Sequence, residues 1–127
     1  MDMAVVKVEP GKKAQLVKIK NSLEGMQAVV GGLIQAISPF DDEVVLVCNE
    51  EGKMLGLPLN RTLQGTGDII CGTFFICGAP ADAEEFDSLT KEQLVKYYKM
   101  FEFPERFYLD KENGITSVQF NFDEEER

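Results

Sequence analysis

The chain contains no histidine. Without imidazole the commonest general base near neutral pH is missing, and so are the partner of a serine or cysteine nucleophile and a usual zinc ligand. Cysteine is scarce too. Cys48, Cys71 and Cys77 form an odd set with no CxxC pair, which reads as small buried hydrophobes in a reducing compartment rather than a redox or metal motif. On one continuous strand the even spacing of Cys71 and Cys77 places both on one face. No apolar run approaches the ~18 residues of a membrane helix. The opening stretch, MDMAVVKVEPGKK, has neither a long apolar core nor a small-residue cleavage site, so the expected location is the cytoplasm. The phosphate-binding pattern GxxxxGK[ST] and EF-hand spacing do not occur, which removes the P-loop and the EF-hand.

Positive charge is in short supply after residue 40. Residues 1–40 carry five lysines against three acids, net +2, whereas residues 41–127 carry eight Lys/Arg against nineteen acids, net −11. The total of −9 opposes general binding to nucleic acid or anionic membrane, which relies on clustered Lys and Arg. It suits a partner with a basic surface, and it also suits plain solubility.

What is present fits one folded unit. At 127 residues and 44% hydrophobic content, the chain can bury roughly two thirds of its unfolded surface without a staple. We expect one domain over 1–122 and a frayed acidic tail over 123–127, where DEEER carries like charges and no apolar anchor. Runs 3–8 and 14–19, split by Glu9-Pro10-Gly11, predict strand, turn, strand. A helix follows, capped at Asn21 with Glu24 three residues on and closed by Gly31-Gly32. LIQAISPF reads as a strand stopped by Pro39. Val44 to Cys48 is a continuous β-branched-rich run, the pattern of a central strand buried on both faces. Glu51-Gly52 then predicts a hairpin over 47–55, with KML as its return arm. Pro58 predicts a short helical turn through Leu63, and IICGTFFICG one long strand.

Thr90 with Gln93 forms a capping-box pattern. Leu94, Tyr97, Tyr98 and Phe101 recur at i, i+3, i+4 and i+7, the amphipathic signature of a helix that Phe103-Pro104 stops. Asn113-Gly114 marks a last hairpin, with Val118, Phe120 and Phe122 alternating along its second arm. The predicted class is α+β: a mixed, mainly antiparallel sheet with two helices packed on one face.

The segments VEPGKK, GMQAVVGGLIQAISPF, VCNEEGKMLGLPLNR and DIICGTFFICGAPADAEEFDSLTKEQLVKYYKMF together resemble domain-of-unknown-function family 3846, over about residues 4–101. Members are small acidic proteins of gut Firmicutes, their phages and mobile elements. The resemblance implies an element-borne protein, encoded near anti-restriction genes. It implies no known activity, catalytic residue or cofactor. Residues 103–127 carry no such likeness.

Four groups of residues merit attention as sites. Asn60, Arg61 and Thr62, with Asp68 and the Gly65-Thr66-Gly67 loop, could bind a small anion, since Arg61 is the sole positive charge between Lys53 and Lys91. The alternative is that Arg61 pairs with a nearby acid and Asn60 caps the turn. The carboxylates of Asp41-Asp42-Glu43, Glu50-Glu51, and Asp82 with Glu84-Glu85 could form an acid/base pair or a cation site, or simply be solvated charge in turns and at strand edges. The acidic surface as a whole could mimic DNA and inhibit a nuclease or restriction system, although Lys91, Lys96 and Lys99 interrupt it. Phe101, Phe103, Phe107 and Tyr108 could form a homodimer seam or part of the core. The expected function is a non-catalytic accessory protein of a phage or mobile element that binds a host protein. The two alternatives are the DNA mimic and a small-anion binder or enzyme built on the Arg61 loop. No catalytic residue, metal ligand or cofactor is assigned.

Overall fold

A computed structural model of the chain describes residues 1–110, 112 and 114–119. The elements are β1 (Asp2–Val8), β2 (Gln15–Lys20), α1 (Leu23–Val30), β3 (Ile34–Ile37), β4 (Val44–Asn49), β5 (Leu59–Thr62), β6 (Ile69–Cys71), β7 (Phe74–Gly78), α2 (Lys91–Phe101), β8 (Glu105–Asp110) and β9 (Gly114–Gln119). The main sheet has the order β2-β1-β7-β4-β3, and each of its pairings is antiparallel. The pairs β5-β6 and β8-β9 form two small sheets. The class is α+β.

The helices do not share a face, which corrects the expected arrangement. On β4 and β7 alternate side chains enter two separate cores. Val44, Leu46, Phe74 and Ile76 meet Tyr97 and Phe101 of α2. Val45, Val47, Phe75 and Cys77 meet Met26 and Val30 of α1. The reason lies in the two unbroken apolar strands: all six residues of β4 and all five of β7 are buried. Such strands need cover above and below. The side bearing α2 also receives Leu63 and Ile70 from the β5–β6 segment, so the small sheet belongs to that layer.

Local chemistry explains where the elements begin and break. Ser22, not Asn21, caps α1: its hydroxyl accepts from Gly25 N–H at 3.0 Å. The Asn21 amide instead donates to Phe86 C=O at 2.8 Å, a long-range bond that takes the side chain away from the helix end. Gly31 closes α1 at φ +79°, as its sequence position predicts. At α2 the capping box forms as expected, with Thr90 accepting from Gln93 N–H at 3.2 Å and the Gln93 side chain accepting from Thr90 N–H at 3.0 Å. The pair is worth about 1 kcal/mol of helix stability.

Three expectations between residues 47 and 78 are overturned. The hairpin over 47–55 has no second arm: β4 ends at Asn49, its neighbours are β3 and β7, and 50–56 is a run of turns. Asn49 Oδ1 accepts from Glu51 N–H at 2.8 Å, and Leu55 N–H returns to Glu51 C=O at 2.8 Å. Local bonds thus curl the chain before KML can pair. The expected helical turn after Pro58 is strand β5, drawn out by tertiary bonds, since the Asn60 amide donates to both Val8 and Gly72 carbonyls. IICGTFFICG is two strands in two sheets, broken at Gly72, whose φ of +83° favours glycine. A methyl group there would meet Leu57 Cδ1 at 2.7 Å. Cys71 and Cys77 are therefore not on one face. The last hairpin is present, with Asp110 opposite Gly114. Asn113, Phe120, Phe122 and the expected tail 123–127 lie outside the described residues. No helix among those residues is long and apolar enough to cross a membrane.

Candidate functional site

Asn60 and Arg61 are 0% and 1% exposed. A register shift between Leu59 and Arg61 turns both inward. The Arg61 guanidinium reaches the chain from three directions. Nη2 donates to Lys12 C=O at 2.6 Å and Phe101 C=O at 3.0 Å, Nε donates to Phe101 C=O at 3.3 Å, and Nη1 donates to Asn60 Oδ1 at 2.8 Å. Together with Asn60 it ties the β1–β2 turn, the end of α2 and β5 into one knot. Burial lowers the Arg61 pKa to about 10, opposed by the Glu105 carboxylate, so the cation persists at neutral pH. Arg61 bonds to main-chain carbonyls and an amide, not to a carboxylate as one reading expected. Phe101 C=O falls in the last turn of α2, where a helix lacks internal donors and favours positive charge.

Of the four residues proposed as an anion loop, Asn60 and Arg61 are joined in this buried knot, while Thr62 and Asp68 are engaged elsewhere. Thr62 N–H donates to both Glu105 carboxylate oxygens at 3.0 and 3.2 Å, and its hydroxyl lies 3.3 Å from Ser117 Oγ. These bonds fasten the β8–β9 hairpin to β5. Asp68 forms an ion pair with Lys53. Neither Asn60 nor Arg61 lines any of the three main clefts. The aromatic set is also divided. Phe101 is core, edge-on to Phe74 at 5.3 Å between centroids. Phe103 lies under the Lys13 ammonium at 5.2 Å, and Phe107 is half-buried on β8. Tyr108 alone of the four is exposed.

The structure brings two of the three acid groups together and leaves Glu50-Glu51 apart, beyond the other end of β4. Glu43 C=O accepts from Ala79 N–H at 2.8 Å, and its carboxylate accepts from Ala81 N–H at 2.7 Å. This lays the 41–43 turn against the 79–87 loop at one end of β4 and β7. Asp41, Glu43, Asp82, Glu84, Glu85 and Asp87 are all exposed there. Asp42 has a different role: it accepts from Tyr97 O–H at 2.8 Å and Gln93 Nε2 at 3.2 Å, docking α2. The tyrosine hydrogen bond does most to hold the Asp42 carboxyl below its ordinary range, while desolvation pushes Tyr97 up. Spacing gave no hint of this contact, because 55 residues separate the partners.

Two clefts meet beside the 50–56 turns. The first, about 410 Å³, runs between the end of β4, these turns and β6. Cys48 and Cys71 lie in its floor, and burial raises both thiols. The second, about 400 Å³, lies between Leu57 and Ile115 of the last hairpin. Lys53 and Asp68 line both. Nothing in the residue order joins Cys48 to Cys71, since they come from different sheets. Among the described residues no group of three or more Cys, Asp or Glu is disposed to hold a metal ion.

No curated protein and no solved structure matches the chain. A family model does, over residues 3–102, and its span takes in both helices, the whole main sheet, the β5–β6 pair and the acidic end. It stops before the β8–β9 hairpin. This chain therefore belongs to the family described as a domain of unknown function, DUF3846.

Proposed function

We propose that the protein is a non-catalytic, cytoplasmic accessory protein of a phage or mobile element that acts by binding a basic surface of a host protein. One observation carries this reading. Two loops, distant in sequence, are bonded side by side through Glu43 and present six exposed carboxylates at one end of the sheet. Lys96 is the cation paired there, 3.8 Å from Asp42. An end so charged attracts cationic partners over about 10 Å at moderate salt and repels polyanions. The acids sit in two loops rather than in paired rows, which favours a basic protein surface over a DNA-reading groove.

The test is capture from a bacterial host lysate on immobilised protein, compared with the variant Asp82→Asn/Glu84→Gln/Glu85→Gln. A partner held by the parent, released by added salt and lost by the variant supports the reading. Equal capture by both proteins, or capture indifferent to salt, refutes it. A captured nuclease displaced by duplex DNA would move the assignment to DNA mimicry.

A further inference from the structure

The acidic end leaves the 410 Å³ cleft unexplained. We infer that this cleft receives a Lys or Arg side chain of the bound protein, a deepening that rests on the function proposed above. Its floor is built from Ile37, Cys48, Ile70 and Cys71, an apolar bed of the kind that takes the methylene stem of a long cationic side chain. Its rim is acidic. Glu50, Glu51 and Asp68 stand around the mouth with Lys53 as the only cation lining it among the described residues, an imbalance of two negative charges there. Asp68 is already shared with Lys53. The Glu50 and Glu51 carboxylates have no hydrogen-bond or ion-pair partner among the described residues, so they are available to an incoming donor.

The turn holds these groups in place. Asn49 fixes Glu51 N–H, Glu50 N–H donates to Leu33 C=O at 2.8 Å, and Gly52 packs so close that a methyl group would lie 2.7 Å from Cys71 C=O. The rim is therefore pre-organised, which lowers the ordering cost of binding. A long cationic side chain laid along the cleft rests its methylenes on the apolar floor and turns its guanidinium or ammonium up to the unpaired carboxylates at the rim. An anion would meet the same carboxylates and be repelled, and a neutral aliphatic group would leave the rim unused.

The experiment is a titration followed by ¹⁵N–¹H correlation spectra, using the capped tripeptide Gly-Arg-Gly and its citrulline isostere, which keeps the shape and loses the charge. The arginine peptide should shift amides of residues 50–54 and 68–71. The citrulline peptide, and the arginine peptide on Glu50→Gln/Glu51→Gln, should each bind about tenfold more weakly, as expected for two rim charges. The parent-like spectrum of that double variant would show that it is folded. Equal affinity for the two peptides, shifts confined to 41–43 and 82–87, or no shifts at millimolar peptide would each overturn the inference. Capture of a partner that depends on Asp82, Glu84 and Glu85 but not on Glu50 and Glu51 would also overturn it, and would leave the acidic-end reading standing. Peptide binding in the cleft with no salt-sensitive capture would uphold the cation site and refute only the protein source of the cation.

Discussion

Replacing Arg61 with methionine separates a structural role from a ligand-binding one. Methionine keeps most of the buried stem and removes the guanidinium. The change strips donors from Lys12 C=O, Phe101 C=O and Asn60 Oδ1, now served at 2.6, 3.0 and 2.8 Å. Two of these acceptors are main-chain groups that no second substitution can remove. A buried acceptor left bare costs about 1–3 kcal/mol. Against this, the variant no longer has to desolvate a charge, which recovers part of the loss. The expected net cost is about 3–4 kcal/mol, a large share of the roughly 5–15 kcal/mol that holds a domain together. Arg61→Lys should fall between the two, because one ammonium cannot span carbonyls on both sides of the knot. Urea unfolding followed by far-ultraviolet circular dichroism gives the answer as a fall in midpoint at constant slope. An Arg61→Met protein within about 1 kcal/mol of the parent would refute the reasoning and return Arg61 to the list of ligand-binding candidates.

Other outcomes follow from the same contacts. Asp42 has a folded pKa below its unfolded value of 3.8, so its stabilising effect is present above that value and is lost as pH falls through the folded one; Asp42→Asn should flatten the acid limb of a stability-against-pH curve below about pH 4, and an unchanged limb would count against the contact. Tyr97→Phe removes the other half of that bond and should cost about 1 kcal/mol in urea melts. Gly72→Ala combines φ +83° with a contact to Leu57 at 2.7 Å and should lower the thermal midpoint by at least about 4 °C; a rise would show that β6 and β7 tolerate a continuous strand. Cys77 is 0% exposed and its thiol is pushed up to about 12, so native-state alkylation read by mass spectrometry should modify it at least about tenfold more slowly than Cys48 or Cys71 in the cleft.

Elements whose signals are local are legible in the residue order. The Thr90–Gln93 box, the stripe from Leu94 to Phe101, the stop at Gly31 and the doubly buried run of β4 all depend on neighbours within a few positions, and each appears where its residues predict. Tertiary structure alone decided the rest. β7 is inserted between β1 and β4, and it is this placement, with apolar side chains on both of its faces, that sends α1 and α2 to opposite sides. Arg61, Asn60 and Asp42 read as turn residues because a one-dimensional reading cannot supply Lys12, Val8 or Tyr97 as partners. The cleft shared by Cys48 and Cys71 exists because Gly72 breaks the chain between two sheets and the turn after Asn49 folds over the gap. Hydrogen bonds and apolar contacts act through space, so a role that depends on residues 40 or 50 positions away is fixed only when the chain has closed.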